Sequence, residues 1–285
     1  MTQLAFYPGC ALQSMSWDYR KSIIRTAKAL DLELTELEGW SCCGASAAHS
    51  LDERMSVLLP ARNLAVAQAL GHDLAVACPM CFKRLTYARH ALQEQKVDDP
   101  WGLKMDMAIV DLARLMASEP LLSRIKERIV VPLNGLRVVC YYGCQVVRHP
   151  RYTGYADYEN PYHLDLLAKT LGAVPIDWSF KAVCCGASLG IPKKQIGLSL
   201  VKKLITQARA CGAHAIVVCC PLCQSNLDLY QPQLPQQEGE PSVDAIPVLY
   251  YTELLSVAFG LDTIRSALKS HMVRQESAIS SVLAQ

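Results

Sequence analysis

The chain has 285 residues, with 28 Lys+Arg against 26 Asp+Glu (a formal charge of +2) and 51% hydrophobic against 19% charged residues. This balance excludes general disorder and argues against nucleic acid or an anionic membrane surface as the main partner. No apolar run reaches the ~18 residues of a membrane span, and Met1-Thr2-Gln3-Leu4-Ala5-Phe6-Tyr7 lacks the basic and apolar regions of a signal peptide. The expectation is a cytoplasmic protein with no membrane-inserted segment of its own, peripheral to a membrane only through partners. Thirteen cysteines are an odd number for a reducing compartment, where structural disulfides are rare.

In chain order, the strand Leu4–Tyr7 ends at Gly9-Cys10, and Ser22–Leu30 follows with apolar residues Ile23, Ile24, Ala27 and Leu30 at helical spacing. The run Ser41-Cys42-Cys43-Gly44-Ala45-Ser46 precedes an amphipathic helix over Leu58–Leu70. The strand Leu74–Ala77 then feeds Cys78-Pro79-Met80-Cys81, with Pro79 at the first helical position, where a missing N–H costs nothing. Strand Met107–Val110 and helix Asp111–Ala117 close this stretch. The order then repeats. Strand Leu136–Tyr142 ends at Gly143-Cys144, Leu164–Leu171 is helical, and Val183-Cys184-Cys185-Gly186-Ala187-Ser188 answers the first Cys-Cys run. Helix Leu198–Ala210 and strand Ala215–Val218 lead to Cys220-Pro221-Leu222-Cys223, and Ile246–Leu249 and Thr252–Phe259 close as strand and helix.

From the Cys-Cys pair to the CxxC there are 34 residues in both copies (44–77 and 186–219), an identity chance does not give. The preceding intervals are 31 residues (11–41) and 39 (145–183), so the second copy carries eight extra. Alternating strands and helices predict an α/β fold of two pseudo-symmetric repeats, each a small parallel sheet with flanking helices. The expected boundaries are 1–120 and 136–262, joined through Ser118–Gly135, with 263–285 as a polar C-terminal helix or loose tail.

Each copy offers a lone Cys, a vicinal pair and a CxxC: Cys10, Cys42, Cys43, Cys78 and Cys81, then Cys144, Cys184, Cys185, Cys220 and Cys223. All fall where a strand or loop meets the next helix, the edge at which α/β folds build ligand sites and helix N-termini stabilise thiolates. CxxC is the common zinc half-site, yet zinc takes four ligands and five thiols are one too many. A multinuclear iron–sulfur cluster accommodates vicinal thiolates because neighbouring sulfurs can bind different irons. Spacing ranks iron–sulfur first, a zinc-stapled non-catalytic scaffold second and dithiol chemistry third, and excludes none.

The pattern C-x31-CCG-x33-CPMC followed by C-x39-CCG-x33-CPLC resembles the cysteine-rich CCG domain duplicated in the B subunit of heterodisulfide reductase, over roughly residues 4–260. The resemblance implies two noncubane [4Fe-4S] clusters, one per half, on the ten cysteines just named. It implies a catalytic iron–sulfur polypeptide that cleaves or forms an S–S bond of a small-molecule or carrier-bound disulfide or thiol. Its partners would be a flavoprotein resembling the A subunit of that enzyme and a ferredoxin-type protein resembling its C subunit, because the chain carries neither a flavin fingerprint nor a ferredoxin cysteine run. Related CCG domains also occur in succinate- and lactate-type respiratory dehydrogenases, so electron relay without sulfur binding is the second reading.

The eight-residue insertion lies within 148–163 and is rich in Tyr. Arg148 or Arg151 there is a candidate to hold an anionic substrate tail, although such residues equally suit a surface cap or a docking contact. Cys140, Cys211 and Cys219 stand where the first copy has Phe6, Ala69 and Ala77, which predicts burial as small hydrophobes. Cys219 retains a second possibility as the neighbour of Cys220. His49 and His149 fall near the cysteine loops, and His72 and His214 align across the copies. None has metal-ligand spacing.

Overall fold

The computed structural model describes residues 2–45, 48–190, 192–234, 245–261 and 271–273. In the first half the order is β1 (Thr2–Tyr7), α1 (Gly9–Leu12), α2 (Trp17–Ala29), β2 (Leu32–Glu36), α3 (Ala48–Leu51), α4 (Glu53–Gln68), β3 (Leu74–Val76), α5 (Pro79–Gln93), β4 (Ile109–Asp111) and α6 (Leu112–Met116). Helix α7 (Leu121–Arg128) connects to β5 (Arg137–Tyr141), α8 (Pro150–Thr153), α9 (His163–Thr170), β6 (Val174–Ile176), α10 (Lys194–Ala210), β7 (Ala215–Val218), α11 (Pro221–Leu229), β8 (Val248–Tyr250) and α12 (Tyr251–Ala258).

Two four-stranded sheets result, ordered β2-β1-β3-β4 and β6-β5-β7-β8, every pairing parallel. The registers correspond: Val76 lies opposite Asp111, and Val218 opposite Tyr250. The central strands β3 and β7 are buried throughout, as strands covered by helices on both faces must be. The two-half α/β expectation holds. The edge strands β2 and β6 were not expected from the sequence. Leu32-Glu33-Leu34-Thr35-Glu36 carries charge on its open face, and β6 contains Pro175, which only an edge strand tolerates. The segment expected as a plain join also contains α7, whose Leu121, Leu122 and Ile125 are buried. Of residues 263–285, all but His271–Val273 lie outside the described residues.

One continuous apolar core runs through both halves. Across it, Tyr19 of α2 stacks on Tyr250 with ring centroids 3.9 Å apart. Its hydroxyl reaches the carbonyls of Cys219 (3.1 Å) and Ala77 (3.4 Å), the residues just before the two CxxC motifs. The Ser22 and Thr252 hydroxyls meet at 2.7 Å. Reciprocally, Tyr155 of the second half bonds Asp111 of the first.

Candidate metal centres

In each sheet the chain leaves the first strand to one side and returns to the other, which opens a crevice at the carboxyl ends of β1 and β3, and of β5 and β7. The lone cysteine and the CxxC flank that crevice, and the vicinal pair arrives from the loop after the edge strand. Cys78 and Cys220 occupy the N-cap positions of α5 and α11 in extended conformation, with Pro79 and Pro221 opening the helices. The N-terminal N–H groups of both helices therefore point toward the sulfurs.

The sulfurs converge in the same way twice. Cys43 and Cys81 are 3.3 Å apart and Cys185 and Cys223 3.5 Å. The Gly44 N–H points at the Cys42 sulfur at 3.4 Å and the Gly186 N–H at that of Cys184 at 3.3 Å. Tyr7 and Tyr141 lie beneath the two sites, each donating its hydroxyl to the carbonyl before the vicinal pair, Ser41 at 2.7 Å and Val183 at 2.5 Å. Burial first, then the neighbouring thiols, push both phenols well above their usual range. Glycine is required beside the lone cysteines: a Cβ on Gly143 (φ +70°) would stand 2.9 Å from the Cys223 sulfur, and one on Gly9 (φ +69°) 3.1 Å from that of Cys81.

None of the thirteen cysteines forms a disulfide, and the thiols crowded at the two sites shift one another's titration. The hydrogen bond from Cys144 pulls Cys184 down to about 5, while the same bond and burial push Cys144 up. Cys43 is likewise pulled down by its bonds from Cys42 and Cys81. A crowded thiol set of this kind gains from a cationic group that replaces the shared protons. Five sulfurs per site exceed what one tetrahedral zinc takes, so the donor set fits a multinuclear iron–sulfur group.

A cavity of about 610 Å³ opens between the halves. Cys144, Cys184, Cys185, Cys220 and Cys223 line one wall, and Pro79, Met80, Lys83 and Arg84 of the first half line the other. Lys83 donates to the Gln145 side chain (3.1 Å), whose amide faces the Cys144 sulfur at 3.4 Å. Burial lowers both basic groups, Lys83 and Arg84. Sequence reasoning missed this pair. The signal was a break in the repeat, because the second copy has Ser225 and Asn226 there, and Asn226 donates to the Cys185 carbonyl at 2.7 Å.

Arg148 and Arg151 do not line the cavity. Both are exposed, Arg151 pairs with Glu94, and Tyr152 packs edge-on against Tyr87 of α5 at 5.3 Å. The insertion thus caps the first half. Cys140 and Cys219 are fully buried, whereas Cys211, at the end of α10, is only half-buried because it lies on the surface turn before β7. The Cys219 sulfur faces the Tyr142 carbonyl at 3.9 Å. Of the histidines singled out in sequence, His149 is exposed beside Tyr152 and His214 accepts from the Arg137 N–H at 3.2 Å. The side chain of His49 lies outside the described residues. The histidines with buried partners are others: His163 on Tyr155 (2.9 Å), and His271 between Asp18 (2.9 Å) and Glu253 (3.0 Å).

Twin parallel sheets with cysteine-lined carboxyl edges define a tandem cysteine-rich α/β protein. Residues 4–86 and 138–228 each match the cysteine-rich CCG domain, and the chain belongs to the family of tandem CCG iron–sulfur proteins typified by the B subunit of heterodisulfide reductase. It is 30% identical over 95% of its length to the 8-methylmenaquinol:fumarate reductase membrane anchor subunit of Wolinella succinogenes, covering 97% of that protein. It is 25% identical to the B subunit of the ferredoxin/F420H2-dependent CoB-CoM heterodisulfide reductase of Methanosarcina acetivorans (96% and 95% covered). A protein of Archaeoglobus profundus, itself described as like the heterodisulfide reductase B subunit, is 28% identical, with 92% of each chain covered. In fold, the chain is similar to a hypothetical protein from Helicobacter pylori (TM-score 0.69, 11% identity) over 95% of its own length, and spans about half, 52%, of that structure. The relatives belong to multisubunit reductases, which implies partner subunits here. Among the described residues no helix is long and apolar enough to cross a membrane.

Proposed function

We propose that the chain is the catalytic iron–sulfur component of a heterodisulfide reductase-like complex, cleaving or forming an S–S bond between its two halves. Cys10, Cys42, Cys43, Cys78 and Cys81 would hold one noncubane [4Fe-4S] cluster, and Cys144, Cys184, Cys185, Cys220 and Cys223 the other. The observation that carries this reading is the shared cavity, whose walls come from both halves and end on both CxxC helices. The cavity reaches the cysteines of the second half directly and the first half at the opening of α5 beside Cys78 and Cys81, and two such clusters would together supply the two electrons a disulfide needs. Around them, α5 and α11 aim their N-termini at sulfur ligands and favour negative charge there. Lys83 and Arg84 present two half-buried cations to the cavity, suited to an acidic group on the substrate. Electrons would come from a flavoprotein partner through a ferredoxin-type partner, the counterparts of the A and C components of heterodisulfide reductase.

A second reading rests on the similarity to the Wolinella protein: relay of electrons between a flavoprotein and a quinone, with no sulfur bound. Iron, zinc and acid-labile sulfide per chain, with electron paramagnetic resonance before and after a disulfide or thiol is added, decide between them. About eight irons and a signal that changes with the sulfur ligand are expected. Iron with a signal blind to sulfur ligands leaves the relay reading, and zinc in place of iron leaves the scaffold.

A further inference from the structure

Behind the two CxxC motifs, where the halves meet, lies a buried polar cluster that the ten cysteines do not explain. Asp111 ends β4 with 2% exposure and takes the Tyr155 hydroxyl hydrogen on Oδ2. The same hydroxyl lies 2.9 Å from Nε2 of His163. A phenol has one hydrogen, and it goes to the carboxylate, so Nε2 of His163 must carry a hydrogen and donate. Asp111 is also the N-cap residue of α6, where the N–H groups of Ala113 and Arg114 face its carboxylate, yet Oδ1 completes no close hydrogen bond among the described residues. Burial of this kind without full pairing is costly and calls for a reason.

The surroundings are specific. Arg114 of α6 lies over the Tyr155 ring at 5.2 Å and donates to the Gly154 carbonyl at 2.9 Å. From α2 and α12, Tyr19 and Tyr251 feel the Asp111 charge, and so does Cys219 at the end of β7. Cys219 adjoins Cys220, and the Tyr19 hydroxyl bonds the carbonyls before Cys78 and Cys220. The carboxylate therefore lies among side chains that adjoin or hydrogen-bond the backbone just before both CxxC motifs.

We propose that Asp111 is a proton store coupled to the redox state of the two sites, binding one proton when the chain takes up one electron. This rests on the reading of the cysteines as cluster ligands but not on any sulfur substrate. The balance is one electron from the donor, one proton from solvent, and no bond broken. The path runs from His163, which has 7% exposure, to Tyr155 and on to Asp111, each step a hydrogen bond already in place. Burial pushes Asp111 up to about 6, against the Tyr155 bond, the N–H groups of Ala113 and Arg114 and the Arg114 charge. Burial pushes His163 down to about 3, with Arg114 adding to the effect. Near neutral pH the carboxylate is charged and the histidine neutral, and negative charge added nearby favours the protonated carboxyl. By linkage, proton binding must in turn raise the reduction potential.

The test is a reductive titration of the full chain, cluster-loaded under anaerobic conditions, with dithionite from pH 6 to pH 8. The midpoint potential is expected to fall with rising pH, toward the limit of about 59 mV for each tenfold change in proton activity for a one-electron couple. Asp111→Asn is expected to remove that slope. A reduced-minus-oxidised infrared spectrum of the unaltered protein should show a protonated carboxyl band that shifts in D2O. This readout holds even where the variant fails to load. A flat potential, an unchanged slope in Asp111→Asn, or no carboxyl band overturns the proposal. Clusters that show the slope yet ignore disulfides overturn only the preceding assignment of sulfur chemistry, and a chain that binds no iron overturns both.

Discussion

At the scale of single residues, the two sites depend on positions that tolerate no side chain. Gly143 and Gly71 share a left-handed backbone (φ +70° and +69°), but only Gly143 has a sulfur where its Cβ would go. Left-handed backbone costs a non-glycine residue ~1–2 kcal/mol. Gly71→Ala should therefore lose that much stability and no metal, whereas on the proposed assignment Gly143→Ala should also lose most of any iron held by the second set of cysteines; metal analysis of the two purified variants separates the effects. His163 gives a pH prediction. Its folded pKa, about 3, lies below the ~6.5 of an unfolded histidine, so between those values only the unfolded chain binds the proton. Stability should fall as pH drops through that window, by up to about 1.4 kcal/mol per unit, and His163→Gln should flatten the decline in urea melts. The ten cysteines stand out in the sequence because they occur twice at matched intervals, and the structure gathers them at the carboxyl edges of the two sheets. Lys83, Arg84 and the Asp111–Tyr155–His163 cluster do not stand out, because a repeat reveals only what the copies share, and each of these exists in one copy.

At the scale of elements, the central strands and the CxxC helices were readable from apolar runs and from proline placement. The edge strands were not, since Glu33 and Glu36 in β2 and Pro175 in β6 serve an open edge, where the usual strand composition is unnecessary. The loop carrying Cys144 has an anchor that its first-half counterpart lacks. The Lys181 carbonyl accepts the N–H groups of Tyr142 (2.9 Å) and Gly143 (3.1 Å), and its buried ammonium pairs with Asp165 at 3.2 Å. Asp165 in turn accepts the Tyr142 hydroxyl at 2.6 Å. The first half has Gly39 and Pro8 at the equivalent positions of Lys181 and Tyr142. Breaking a buried pair by removing one partner costs ~3–5 kcal/mol. Lys181→Met should lose about that in chemical denaturation, and adding Asp165→Asn should restore part of it. Equal stabilities of the single variant and the parent would show the pair to be idle.

At the scale of the molecule, the duplication has been made inseparable. Each half sends the segment after its lone cysteine onto the last strand of the other: Tyr19 onto Tyr250, and Tyr155 onto Asp111. A fragment of residues 1–120 should therefore lack a cooperative unfolding transition when made alone, and should co-purify with residues 136–285 when both are expressed together. Cooperative melting of the isolated fragment would contradict this. The internal repeat predicted two halves but not this exchange, which depends on contacts between non-equivalent residues. The halves also differ in shelter: Cys10 and Cys42 are exposed, whereas their counterparts Cys144 and Cys184 are buried and half-buried. With the proposed clusters in place, the first site is the one expected to meet molecular oxygen sooner. A sample handled in air should thus decay in two phases, its first half bleaching before its second, and the partly spoiled preparation would be one defined species rather than a random mixture.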